Sequence, residues 1–71
     1  MLQTILVPKR NFTEAEAIEW VKKNGHKASK VDITDKFYRF RQVEPPKGKG
    51  IDYYSSLLPN GIILVQYSIH V

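Results

Sequence analysis

Apolar positions change their period along this chain, and each change marks an element. Residues 2–7 are almost wholly β-branched or aliphatic and Pro8 closes them, which predicts a short strand. Next comes a helical start signal. Thr13 and Glu16 stand three apart, as in a capping box, and Phe12 precedes the cap where it can staple onto Ala17. At about 100° per residue, Ala15, Ala17, Ile18, Trp20 and Val21 share one broad face, with Glu16, Glu19 and Lys23 opposite. Glu14, Glu16 and Glu19 lie early and Lys22 and Lys23 late, as the helix dipole favours. Asn24 and Gly25 then end a helix predicted over residues 14–24.

Past Gly25 the period falls to two. Residues 30–34 and 37–42 read as strands joined by a turn at Asp35 and Lys36. In the second of them Tyr38, Phe40 and Gln42 share one face, and Phe37, Arg39 and Arg41 the other. Pro45, Pro46, Gly48 and Gly50 crowd residues 44–50, so that stretch is expected to be a mobile loop. Residues 51–58 and 62–71 then flank Pro59, Asn60 and Gly61, a hairpin signal. In the last strand Ile63, Val65, Tyr67, Ile69 and Val71 form a wholly apolar set, which the pattern assigns to the core. Ile62, Leu64, Gln66, Ser68 and His70 would then face outward.

The expectation is one α+β domain over residues 1–71: an amphipathic helix packed on a small, mainly antiparallel sheet, in the order β-α-β-β-β-β. Trp20, Ile18, Val21, Tyr38, Phe40, Val65 and Tyr67 are its expected core. At 71 residues only a single domain fits, and a deep substrate cleft is hard to build. With 42% hydrophobic residues the chain is globular rather than disordered. It contains no cysteine, which removes disulfides, thiolate metal sites and thiol nucleophiles. No stretch resembles a signal peptide or a bilayer span, so an intracellular location is expected, and the chain reads as a whole small gene product.

Several residues resemble, in order, a small module of tailed bacteriophages and large DNA viruses. They are Phe12-Thr13-x-x-Glu16-Ala17-x-x-Trp20, then Gly25-x-Lys27-x-x-Lys30-Val31-Asp32-x-Thr34, then Tyr38-Arg39-Phe40-Arg41-Gln42. The resemblance covers about residues 11–42, with a fainter echo at residues 60–65. It implies a viral context, a structural or accessory role, and residence in the host cytoplasm or the virion. That family has no assigned catalytic activity and no functional residues to carry over.

The formal charge of +4 is local. Lys36, Arg39, Arg41, Lys47 and Lys49 face only Glu44 within residues 36–50, whereas residues 51–71 contain Asp52 alone. Catalysis finds no support in this pattern. His26 and His70 lie in different elements with no carboxylate at triad or metal-ligand spacing, and no serine sits in a Gly-rich elbow. No enzyme, metal, cofactor or small-molecule substrate is expected.

Two binding functions remain. Aromatic and Arg residues together suit a protein interface, and strand addition at a sheet edge is a common route to it. A small core without disulfides also gains from self-association. The first expectation is therefore a protein partner or a homo-oligomer, bound through Phe37, Arg39 and Arg41 with Lys36, Lys47 and Lys49 beside them. Ile62, Leu64 and one or more of Tyr53 and Tyr54 would add apolar area. The alternative is nucleic acid, with Phe37 stacking on bases and the same cations meeting phosphates.

Overall fold

In a computed structural model the described residues are 1–44 and 50–69. They form β1 (Leu2–Pro8), α1 (Glu14–Lys23), β2 (Asp32–Ile33), β3 (Phe37–Arg41), β4 (Ile51–Leu57) and β5 (Ile63–Ile69). The five strands make one antiparallel sheet in the order β2-β3-β1-β5-β4. The expected α+β class and element order are therefore present. Residues 45–49 of the expected loop, with Lys47 and Lys49, and His70 and Val71 lie outside the described residues.

The local signals work as their chemistry requires. The Thr13 N–H donates to Glu16 Oε1 at 2.9 Å, and the Glu16 N–H donates to Thr13 Oγ1 at 3.2 Å, closing the capping box. At the other end Gly25 adopts φ +78°, its N–H donates to the Lys22 carbonyl, and the His26 N–H donates to the Val21 carbonyl. Those paired bonds satisfy the last helical carbonyls and set the backbone role of His26. In the β4–β5 turn Gly61 has φ +91°, and a Cβ there would lie 2.8 Å from Asn11 Nδ2. Glycine is thus required twice over, by conformation and by space.

Ile5, Val7, Ala17, Val21, Phe40 and Ile62 are fully buried and form the core between α1 and one sheet face. Leu2, Phe12, Ile18, Trp20, Tyr38 and Leu64 pack against it. Ala15, expected on the buried helix face, is exposed.

The larger correction concerns β5. Ile5 pairs with both Phe40 and Leu64, so Leu64 and Ile62, two residues before it, look toward the helix. Val65 pairs with Thr4, and Ile63 with Leu6, on the opposite face. The expected core set of β5 is therefore the uncovered set, and Val65 leaves the predicted core. Tyr67 is buried, but on the uncovered side, where its ring lies 6.2 Å from that of Tyr53 and its hydroxyl meets Met1 Sδ at 2.9 Å.

The physical reason is reach. A ten-residue helix is about 15 Å long, shorter than a seven-residue strand of about 23 Å. It needs apolar partners from only part of β5, and Ile62 and Leu64 supply them. Gln66 and Ser68 continue that face beyond the buried cluster, Gln66 accepting the Tyr54 hydroxyl at 3.1 Å. In β1 a register shift between Leu2 and Thr4 changes the phase, so Leu2 serves the core and Thr4 the other face.

Candidate binding face

Antiparallel pairing puts directly opposed residues on one side of a sheet, so the register assembles the uncovered face row by row. One row runs Asp32, Arg39, Leu6, Ile63, Leu57 across all five strands. The next runs Arg41, Thr4, Val65, Ser55. Phe37 lies opposite Pro8 at one end, and Tyr53 opposite Tyr67 and Ile51 opposite Ile69 at the other. The face is thus graded: charged over β2 and β3, apolar over β1 and β5, aromatic and aliphatic over β4.

Phe37, Arg39 and Arg41 do share this face, as their alternation predicts, but they are not equivalent. Arg39 Nη2 lies 3.1 Å from Asp32 Oδ2, an ion pair between directly opposed residues. Its Nε is buried and has no hydrogen-bond partner among the described residues. Asp32 thus holds one guanidinium nitrogen while 40% of the Arg39 side chain stays exposed, so the pair is a solvent-screened surface contact. Arg41 is exposed at the strand end. Phe37 is half-buried and fixed by Thr34, whose hydroxyl accepts the Phe37 N–H at 3.1 Å. Lys36 is exposed in the β2–β3 turn, its carbonyl accepting the Lys9 N–H.

Beside Arg41 a shallow cavity of about 530 Å³ is lined by Lys27, Lys30 and Arg41 but also by Asp32 and Glu44. Gln42 shapes that end: its side-chain amide donates to the Lys27 carbonyl and accepts the Lys27 N–H, both at 2.8 Å. No local motif marks this clamp between the helix exit and β3. Leu6, Ile63 and Val65 lie on the binding side, in place of the expected Ile62 and Leu64. The signal available for the amide was the position of Gln42 on the helix-side register of β3. Of the two tyrosines, Tyr53 belongs to this face and Tyr54 to the helix side.

Among the described residues no three His, Asp or Glu side chains converge as a metal site, and no helix is long and apolar enough to cross a membrane. The class these features define is a small α+β domain in which, among the described residues, α1 covers one sheet face and no helix covers the other. No family model, curated protein or solved structure matches the chain.

Proposed function

We propose that this chain is a non-enzymatic binding module of viral type, structural or accessory in role, that docks on protein through the sheet face opposite α1. One observation carries the reading: Leu6, Ile63, Val65, Tyr53 and Leu57 run together across that face around buried Tyr67, with nothing from the chain's only described helix above them. An apolar field with aromatic residues, rimmed by Arg39 and Arg41, has the make-up of an interface core and its polar margin. The sequence resemblance supports the viral setting, and with it the host cytoplasm or the virion.

Nucleic acid is the second reading, favoured by Phe37 and Arg41 on one face beside Lys27 and Lys30. The Arg39–Asp32 pair and the carboxylates of the cavity weigh against it. A photo-crosslinking residue at Ile63, with one at exposed Glu19 as control, tests both in cells that make the protein. Protein adducts at Ile63 and none at Glu19 support docking. Nuclease-sensitive adducts at Ile63, together with oligonucleotide binding at about 50 mM salt, would transfer the case to nucleic acid. Equal adduct yields at both positions would overturn the proposed face.

A further inference from the structure

The sheet ends in two edges of unlike design. The β2 edge has two residues, Asp32 and Ile33, and the pair Asp32–Arg39 sits on it. The β4 edge has seven residues, with no proline, lysine or arginine. Proteins blunt an exposed edge by making it short, bulged, or studded with lysine or proline, because an open edge templates pairing with another strand. Here β2 is blunted and β4 is not.

Hydrogen-bond phase decides what β4 offers. The Leu58 N–H donates to the Ile62 carbonyl at 2.8 Å. By alternation Ser56, Tyr54 and Asp52 also spend their backbone groups on β5, and Ile51, Tyr53, Ser55 and Leu57 turn theirs outward. Exposed apolar side chains gather at the same place: Leu57 is 74% exposed, Ile69 58%, Tyr53 53% and Tyr54 48%.

We propose that the outer edge of β4 pairs antiparallel with β4 of a second copy, about a two-fold axis at Tyr54. This goes beyond the docking reading: it names a second copy as partner and uses the edge of the sheet rather than its face. In that register Tyr53 lies opposite Ser55 of the second copy and Ile51 opposite its Leu57, so every outward N–H and carbonyl of the strand meets a partner. Tyr54 faces its own counterpart on the helix side, and Leu57 finds Ile51 on the uncovered side. Asp52 falls opposite Ser56 rather than another carboxylate. Within residues 51–69 Asp52 is also the only charged side chain, so like charges do not oppose the approach. No other register pairs all four outward residues.

The arrangement closes on itself. Joining two β4 strands fuses two five-stranded sheets and leaves the two-residue β2 strands as the remaining edges, so growth stops at the dimer. The graded face also becomes continuous, with both apolar fields in the middle and both Arg39–Arg41 margins outside.

The natural chain contains no cysteine, so single cysteines report contacts cleanly. A pair that is not hydrogen-bonded holds its Cα atoms about 4.5 Å apart, within disulfide reach. Tyr54→Cys should therefore give a covalent dimer on mild oxidation, and Ile63→Cys should stay monomeric. Adding Ser55→Pro to Tyr54→Cys should abolish the covalent dimer. The Ser55 N–H points outward, so the proline spares the β4–β5 ladder, and circular dichroism checks that the fold persists.

Cross-linking through Ile63→Cys but not Tyr54→Cys would overturn edge pairing in favour of face-to-face contact, with protein docking retained. Absence of both cross-links, with wild-type protein sedimenting as a monomer at high concentration, would overturn the second copy as partner. Adducts at Ile63 in the photo-crosslinking experiment would then judge the docking reading separately. If Ser55→Pro unfolds, nuclear Overhauser effects between Tyr54 Hα atoms of labelled and unlabelled copies decide the register.

Discussion

On the helix side of the sheet Ile5, Val7, Phe40 and Ile62 are fully buried, whereas on the opposite side Leu6, Ile63 and Val65 are only half-buried and Leu57 projects into solvent. The two faces are nearly equal in apolar content, so hydropathy does not distinguish them. Cover does. A single ten-residue helix closes one face, and what remains open is comparably apolar. Apart from buried Thr4 and Tyr67, an open face of that kind adds less to the stability of the monomer than the covered one and has more to give on association. Substitutions on one face should therefore cost folding, and on the other, binding.

The largest contrast lies within β3, where Phe40 points to the core and Arg39 and Arg41 point away. Phe40→Ala should cost about 3–5 kcal/mol, a large part of the stability of a domain this small. The double variant Arg39→Ala/Arg41→Ala loses an exposed ion pair and should cost about 1 kcal/mol or less. Urea unfolding of both variants measures the difference. Equal losses would mean that the arginines hold the sheet together.

A closer comparison uses neighbours of identical chemistry. Ile62→Ala empties a fully buried site and should cost about 2–5 kcal/mol. Ile63→Ala, one residue on, should cost roughly 1 kcal/mol in the monomer and weaken docking. If Ile63 proved the costlier of the two, the wholly apolar set of β5 would be the core after all.

That pair also shows where the sequence stops being legible. Capping box, helix end, hairpin turn and the alternation of β3 each depend on residues within a few positions of one another, and all can be read locally. The phase of β5 depends on which of its sides meets Ile5, and hence on the register of β1 against two strands far away in the chain. Ile62 and Leu64 are as apolar as Ile63 and Val65, so periodicity alone could not choose between them. The same limit applies to Arg39. Its place on the face follows from alternation, but its pairing with Asp32 follows from the β2–β3 register.

The difference between the faces lasts only while α1 stays in place. A ten-residue helix is too short to persist alone in water, so packing and caps together hold the cover. Thr13→Ala removes the hydroxyl that accepts the Glu16 N–H and should cost about 1 kcal/mol. Thermal unfolding measures that loss. Hydrogen exchange should show faster opening in α1 than in the β1–β5 pair, because the cap acts on the cover and not on the sheet.

The smallest effect is also the most specific to the cap. The Glu16 carboxylate accepts the Thr13 backbone N–H, and this bond, followed by that to the Thr13 side chain, holds its pKa below the ordinary value of 4.5. A group whose folded pKa lies below its unfolded one favours the folded state once it is ionised. Its contribution is therefore fully present above about pH 4.5 and is lost as the pH falls through the lowered folded value. Glu16→Gln keeps an acceptor for the Thr13 N–H but does not titrate. The melting temperature of the natural protein should exceed that of the variant at about pH 6, and the gap should narrow on acidification to about pH 3. A gap that stays constant across that range would mean that the carboxylate does not cap α1, and that the helix keeps its face closed by packing alone.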